Sequence, residues 1–406
     1  MFDNLLYQNA SELLSQDIRS NRLPGSILLA GPASSGKLTC ALEIGRVLSC
    51  TGDEVHPKGH WLCECPSCKK NKELSNPNVL LAGPRDCFLE IAAAKKAFLQ
   101  AAYDNSKSLT ACRYLFLRSV RKLTNRFSQI LWEDDDKVSK IAQLMQLIDE
   151  EMGKLSMDKT LPENDQLEKI VAEIVKQCEK LESTFMYDAL PISQIRKAAA
   201  WAHMKSVEGK KIFIIENAER MLEAARNALL KILEEPPSDV VFILTTSNRG
   251  AVMPTILSRV RTYSFAQRTV PQENEVIERV FHADSSKNIS IDSYLQTFLP
   301  ITPAQVRTVA ESYFNMLMKG QIPMASGIAK QCGEFKPEVL LKNFLIGIMD
   351  AAKKDPQTAG NVSLCQKVVE YARSCYSNVT TYNQSATSAL ENLTRDLSTL
   401  RKAYQQ

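Results

Sequence analysis

The chain has 406 residues, 44% of them hydrophobic and 24% charged, with a formal net charge of +4. That composition excludes a disordered or collagen-like chain, and the length exceeds what one hydrophobic core serves, so two or three domains are expected. The charge is too weak to argue for nucleic-acid binding, no apolar run reaches membrane-spanning length, and the start Met1-Phe2-Asp3-Asn4 is acidic where a signal peptide would be basic. A soluble cytoplasmic protein is therefore expected, with no membrane partner and its eleven cysteines reduced.

In chain order, residues 10–22 read as a helix stopped by Pro24-Gly25. The apolar run 26–30 is too brief for a helix and suits a buried parallel strand. A Gly/Ser loop over 31–36 leads into an amphipathic helix from Lys37 to about Ser49, then a cysteine-rich knuckle over 50–68 and a strand near 78–82. Residues 88–190 carry only helical signals. Ile141, Leu144, Ile148 and Met152, then Leu167, Ile170, Ile174 and Leu181, predict an antiparallel hairpin with a preceding helix. The α/β alternation resumes with a helix over 192–204, a strand over 211–215, a helix over 223–233 ended by Pro236-Pro237, and a strand over 240–244. From about 268 onward only helices are predicted. The fold class is α/β, a parallel sheet with helices on both faces, followed by all-helical parts.

The loop Gly31-Pro32-Ala33-Ser34-Ser35-Gly36-Lys37 has phosphate-binding spacing. Its amides turn toward a phosphate, the next helix offers its N-terminus, and Lys37 reaches the β/γ-phosphates. The bland alternative is a glycine-containing turn with no nucleotide. Leu38 stands where a Ser or Thr would ligate Mg²⁺, and Thr39 comes one residue late, about 100° around the helix. After the strand 211–215 come Glu216 and Asn217, where an ATPase of this type has Asp and then Glu; an amide cannot act as general base. Glu216 and Glu219 are equally compatible with being helix N-terminal acids. Ser258-Arg259 lies past the strand 240–244, and an arginine there can reach a neighbour's γ-phosphate, accelerating transfer roughly 10³–10⁵-fold.

Cys50, Cys63, Cys65 and Cys68 are dense enough to hold structural Zn²⁺, with free thiols or a redox role as alternatives. Cys63-Glu64-Cys65 is a tight pair, and His56 or His60 could replace one sulfur. The basic run Arg113, Arg118, Arg121, Lys122 and Arg126 reads as a solvated helix face, with DNA contact as the alternative.

Together these pieces resemble the bacterial DNA polymerase III clamp loader, an AAA+ family. The resemblance rests on Phe2-Asp3-Asn4-Leu5-Leu6 with Gln8, on the helix Ala228 to Pro237, and on Ile256-Leu257-Ser258-Arg259, where Val260 replaces the family's cysteine. The knuckle lies where the family inserts its zinc module, although the family's spacing would put a cysteine at Leu62. The resemblance covers about 1–87 and 191–265; the segment 88–190 has no recognised counterpart. It implies an AAA+ P-loop domain over 1–265 with a zinc module at 50–68 and a helical insertion at about 88–190, a helical lid over 266–325, and a helical collar over 326–406. It also implies nucleotide contacts from Gly31, Ser35, Gly36, Lys37, Leu38, Thr39, Glu216, Asn217, Thr246 and Arg307, the last as a second sensor.

Within the family, Leu38 and Asn217 resemble the delta prime subunit, which tolerates loss of the hydrolytic groups and keeps the Ser-Arg, as does the lack of a long C-terminal extension. The resemblance implies little or no ATP hydrolysis by this chain, zinc as a structural ion, and ATP/Mg²⁺ in doubt. Its partners would be the gamma/tau and delta subunits in a ring, the sliding clamp and primer-template DNA. The rival expectations are a gamma/tau-type ATP-hydrolysing motor, and a zinc-containing interaction protein without nucleotide.

Overall fold

The computed structural model describes residues 1–206, 209–284, 289–380, 382 and 384–405. Runs of branched apolar residues build its centre: β1 (Ser26–Ala30), β2 (Val79–Ala82), β3 (Lys211–Ile215) and β4 (Val240–Thr246), joined by a short β5 (Arg261–Ser264). The strands lie in the order β2-β3-β4-β1-β5, and every neighbouring pair is parallel. All residues of β1, β3 and β4 are buried, because helices cover both faces of a parallel sheet.

The sequence did not reveal β5. Only Tyr263 of its four residues is buried, so it lacks the continuous apolar run that marks the other strands. It is fixed instead by side chains: the Tyr263 hydroxyl donates to Asp17 Oδ2 (2.7 Å), which also pairs with Arg261 (2.9 Å).

One face of the sheet is covered by α1 (Ala10–Arg19) and α2 (Lys37–Ser49), whose Leu14, Leu38, Cys40 and Ile44 join Ile27, Ile214 and Ile243 in one core. The short α3 (Pro66–Lys72) follows the knuckle. The opposite face packs against the helical segment: α4 (Phe88–Tyr103), α5 (Leu109–Thr124), α6 (Gln129–Trp132), α7 (Val138–Lys154) and α8 (Asn164–Phe185). The predicted hairpin is α7–α8, but a pair of long helices and α6 precede it rather than one helix. Helix α4 is apolar on most sides, which blurs its periodicity. Phe98, Phe116, Ile148 and Ile174 share a single hydrophobic cluster with Leu80, Phe213 and Phe242 of the sheet. The segment is thus continuous with the sheet's core.

The basic run on α5 is not a solvated face. Arg113 is buried and donates to Leu155 O (3.1 Å), Lys159 O (2.8 Å) and Ser156 O, holding the chain where α7 ends. Arg118 donates to Asn71 O (3.2 Å) and Lys72 O at the end of α3. Arg121 pairs with Asp149, and Lys122 with Glu90. Arg126, just past α5, is buried as well. Arg113 and Arg118 thus answer carbonyls that helix C-termini leave unsatisfied.

Completing the first compact unit, Met1–Leu295, are α9 (Ile192–His203), α10 (Glu223–Glu234), α11 (Pro254–Leu257), α12 (Val270–Phe281) and most of α13 (Ile291–Gln296). The described residues of 266–295 therefore belong with the sheet-bearing unit by contact. The second unit, Gln296–Gln406, is helical in its described residues: α14 (Pro303–Met318), α15 (Ala325–Gln331), α16 (Val339–Lys354), α17 (Pro356–Ala359), α18 (Val362–Thr380) and α19 (Ala386–Gln405). Helix α14 starts at a capping box, Thr302 with Gln305, and Pro303 opens its first turn. Its buried Tyr313 hydrogen-bonds Thr394 of α19 (2.8 Å).

Replacing Arg113 by Ala should lower unfolding free energy by about 2–4 kcal/mol, since buried carbonyls lose charged donors. Chemical denaturation would read the loss, and amide exchange should rise first at the α7–α8 turn; unchanged stability would mean those carbonyls find other donors.

Candidate functional site

The loop 31–37 turns from β1 into α2 as its glycines require. A Cβ at Gly31 would lie 2.6 Å from Phe265, and Gly36, with φ +94°, caps α2 in the left-handed region. Ser35 is buried and donates to Pro32 O (2.8 Å), closing the loop on itself. Lys37 is folded back: its Nζ donates to Gly31 O (2.7 Å) and Pro32 O. Burial pushes the Lys37 amine down to about 8, against the opposing pull of Glu216 and Glu219. Arg268 ties the loop from outside, donating to Ser34 O (2.8 Å) and Leu6 O (2.8 Å).

Leu38 is buried in the core beside β1, so the position that would offer a hydroxyl to a cation is part of the hydrophobic packing. Thr39 nevertheless borders the same cavity as Leu38, so one step around the helix does not turn it away. Thr246 is fully buried beneath the loop, accepting from Asn248 N at its Oγ1 (3.0 Å) and from Gly31 N at its carbonyl (3.2 Å).

Glu216 follows β3 and is buried, with both carboxylate oxygens taken. Arg85 pairs with Oε1 and Arg126 with Oε2. Arg85 also bridges to Glu90 (2.7 Å), which pairs with Lys122 of α5. Burial opposes charge on both carboxylates, but the cations outweigh it. They hold Glu216 below the usual carboxylate range and Glu90 at about 2. Asn217 sits at φ +52° and donates its side-chain amide to Pro84 O (2.7 Å), so it presents no base toward the loop. These groups surround a cavity of about 960 Å³ between the glycine loop, α4, α5 and α12.

Arg259 lies beyond β4, just past the end of α11, partly exposed and folded back onto α10 and α11. Its Nε donates to Glu234 Oε1 (2.9 Å), and Nη1 donates to Thr255 O (2.8 Å) and Ser258 Oγ (3.2 Å). Val260, next in the chain, is buried in the core, which suits an apolar residue there. Arg307 is exposed on α14 of the second unit.

The knuckle brings together all four expected cysteines. The sulfurs of Cys50, Cys63, Cys65 and Cys68 lie within 4.8 Å of one another, all buried. Cys63 takes its place despite the tight pair, while Leu62 is exposed. Gly59 N donates to Cys50 Sγ (3.1 Å) and Arg46 Nη1 to Cys68 Sγ (3.1 Å), the surroundings that thiolates require. Neither histidine joins the cluster: His56 turns to Asp53 (3.1 Å) and stacks on His60 at 4.8 Å. The four sulfurs could hold a metal, and their number and type fit zinc.

A family model described as "DNA polymerase III, delta subunit" matches residues 7–147 and 157–269, more than half of the chain. The chain belongs to this family. It is 31% identical over 105 residues to DNA polymerase III subunit delta' of Haemophilus influenzae, covering 26% of this chain and 31% of that protein. It is 37% identical over 82 residues to DNA polymerase III subunit delta' of Bacillus subtilis, covering 20% and 24%. Over 72 residues it is 40% identical to DNA polymerase III subunit gamma/tau of Mycobacterium bovis, covering 18% and 12%. The chain thus spans less than a third of the length of each of these relatives.

The resemblance to the clamp-loader family is borne out. The matched ranges include residues 88–147 and 157–190 of the helical segment. Sequence reasoning missed Arg85 and Glu90, and took Arg126 for surface. No spacing rule marks them, because Arg126 meets Glu216 from 90 residues away.

Glu216→Ala should lower stability by about 3–5 kcal/mol, by leaving Arg85 and Arg126 facing each other without their anion. A carboxylate with a depressed pKa contributes its stability above the unfolded value, and loses it as pH falls through the folded one. The gap between wild type and variant in denaturant titrations should therefore narrow on acidification below about pH 4.5. A gap independent of pH would exclude the ion pairs as its source.

Proposed function

We propose that this chain is a delta-prime-like subunit of the DNA polymerase III clamp loader, which helps load the sliding clamp onto primer-template DNA without itself hydrolysing ATP. It works in a hetero-oligomeric ring with gamma/tau and delta subunits. The observation that carries the reading is Glu216: its two oxygens are engaged by Arg85 and Arg126, so its charge is already answered by fixed cations and its pull on a hydrated one is weakened. Leu38 in the core and Asn217 on Pro84 O support the same conclusion. The AAA+ module would be followed by a lid from 266 and a collar from 326, with Arg307 as a second sensor.

Arg259 acts in trans, reaching the γ-phosphate held by a neighbouring motor subunit. To do so it exchanges the Glu234 carboxylate for phosphate, and Ser258 steadies its guanidinium meanwhile. In the reconstituted loader, Arg259→Ala in this chain should slow clamp- and DNA-stimulated ATP turnover at the site it serves, by about 10³-fold or more, with assembly intact. Lys37→Ala should leave turnover unchanged. The motor reading is favoured by the gamma/tau identity and by Thr39 at the cavity; it requires the opposite pattern, with the lysine change abolishing turnover.

Cys50, Cys63, Cys65 and Cys68 would hold one Zn²⁺ that staples the knuckle between α2 and α3, with all four positions closed to catalysis. Metal analysis should find about one zinc per chain, lost when Cys65 and Cys68 are both changed to Ser. A carefully reduced preparation without metal would refute the site.

A further inference from the structure

Arg46 of α2 spends its whole guanidinium fork on one neighbour along its helix and on the cysteine knuckle. Nε donates to both oxygens of Glu43 (3.0 and 2.9 Å), three residues earlier, and one Nη2 hydrogen goes to the same carboxylate. The other Nη2 hydrogen goes to Gly59 O (2.9 Å), and the two on Nη1 go to His60 O (3.0 Å) and Cys68 Sγ (3.1 Å). All five N–H groups are thereby used. Trp61 lies against the guanidinium, with its ring centre 5.3 Å from Cζ. Both Arg46 and Glu43 are almost fully buried. A buried ion pair gives little net stability over an apolar pair of the same volume, so stability alone does not account for this one.

The sulfurs supply a reason. Four thiolates carry more negative charge than one divalent cation cancels, and a buried site answers the surplus with hydrogen-bond donors. Cys50 Sγ accepts from Gly59 N (3.1 Å) and Gly52 N (3.4 Å), and Cys65 Sγ from Cys68 N (3.4 Å), all of them backbone groups of the knuckle and the start of α3. Cys68 Sγ takes a donor from α2 instead, the Arg46 guanidinium. Gly59 is held at both ends, its N–H on Cys50 Sγ and its carbonyl on Arg46. Arg46 therefore fixes Cys68 directly and Cys50 through Gly59. Carboxylates commonly orient the histidines that bind metals. In Glu43–Arg46–Cys68 a carboxylate orients a guanidinium, which orients a sulfur.

We infer that Arg46, aligned by Glu43, is a positioning residue of the four-sulfur site, and that it sets how tightly the site retains its metal. Lysine cannot take its place, because a single ammonium does not reach a carboxylate, two carbonyls and a sulfur in fixed directions. The inference rests on the zinc reading of the knuckle.

The test is zinc affinity of the purified full chain, measured by competition with a chromogenic chelator, together with the absorption spectrum of the cobalt-substituted protein. Arg46→Gln should weaken zinc binding about 10–100-fold, the cost usual for an outer partner of a metal ligand, and Arg46→Lys should not restore it. The thiolate-to-cobalt band should shift in both variants. Because Arg46→Gln leaves Glu43 buried without its cation, the double change Glu43→Gln with Arg46→Gln serves if the single variant fails to fold, and it should show the same loss. Wild-type affinity in the folded variants, or lower stability with an unchanged cobalt spectrum, would make Arg46 a purely structural residue and overturn the inference. Full affinity in Arg46→Lys would reduce its role to charge and overturn the positioning. A wild-type chain that binds neither zinc nor cobalt overturns the zinc reading and this inference with it, whereas tight wild-type binding that the Arg46 variants share overturns this inference alone.

Discussion

Glu216 between Arg85 and Arg126 is the constraint from which the rest of the site follows. A carboxylate buried at the end of the strand beside the glycine loop must be paired, because burial alone would neutralise it. Here two guanidinium groups take the role, one from the loop after β2 and one from the end of α5. The charge of Glu216 is thus answered by cations that the fold itself holds in place.

That pairing also gives the helical segment its place. Arg126 reaches past Glu216 to Ala82 O (3.3 Å) and Gly83 O (2.8 Å), so a single side chain joins the end of β2, the end of β3 and the segment itself. Arg113 and Arg118 work in the same way on carbonyls near the ends of α7 and α3. With the apolar cluster shared between sheet and helices, they make α4–α8 part of the fold rather than an appendage, and α4 and α5 form one wall of the cavity. The planar fork of arginine suits this work, since one guanidinium can serve several oxygens at fixed angles.

The cysteine knuckle is bound to the same centre through α2. Arg46, on the helix that begins at the glycine loop, is almost fully buried and paired with Glu43. It also donates to Gly59 O (2.9 Å), His60 O (3.0 Å) and Cys68 Sγ (3.1 Å). The knuckle is therefore anchored to the helix that positions Lys37, and Arg118 reaches its other end at α3. The four sulfurs, the loop and the helical segment are held relative to one another by arginines at each junction.

Much of this was legible in the residues themselves. Four buried strands announced themselves as unbroken apolar runs, and the glycine loop as a spacing that only a strand-to-helix turn accommodates. Leu38 and Asn217 stood out by their chemistry alone, since a leucine ligates no cation and an amide is no general base. The four cysteines were legible by their density, and the family by short motifs at Ala228 to Pro237 and Ser258-Arg259. The rest depended on which distant groups meet. A basic run at helical spacing looks the same whether it faces water or caps another helix, and only packing turned Arg113, Arg118 and Arg126 inward. Strand β5 carries too little apolar surface to be recognised without Asp17 behind it. The pairing of Glu216 joins residues 131 and 90 positions apart, a separation that local chemistry does not encode and the closed core alone enforces.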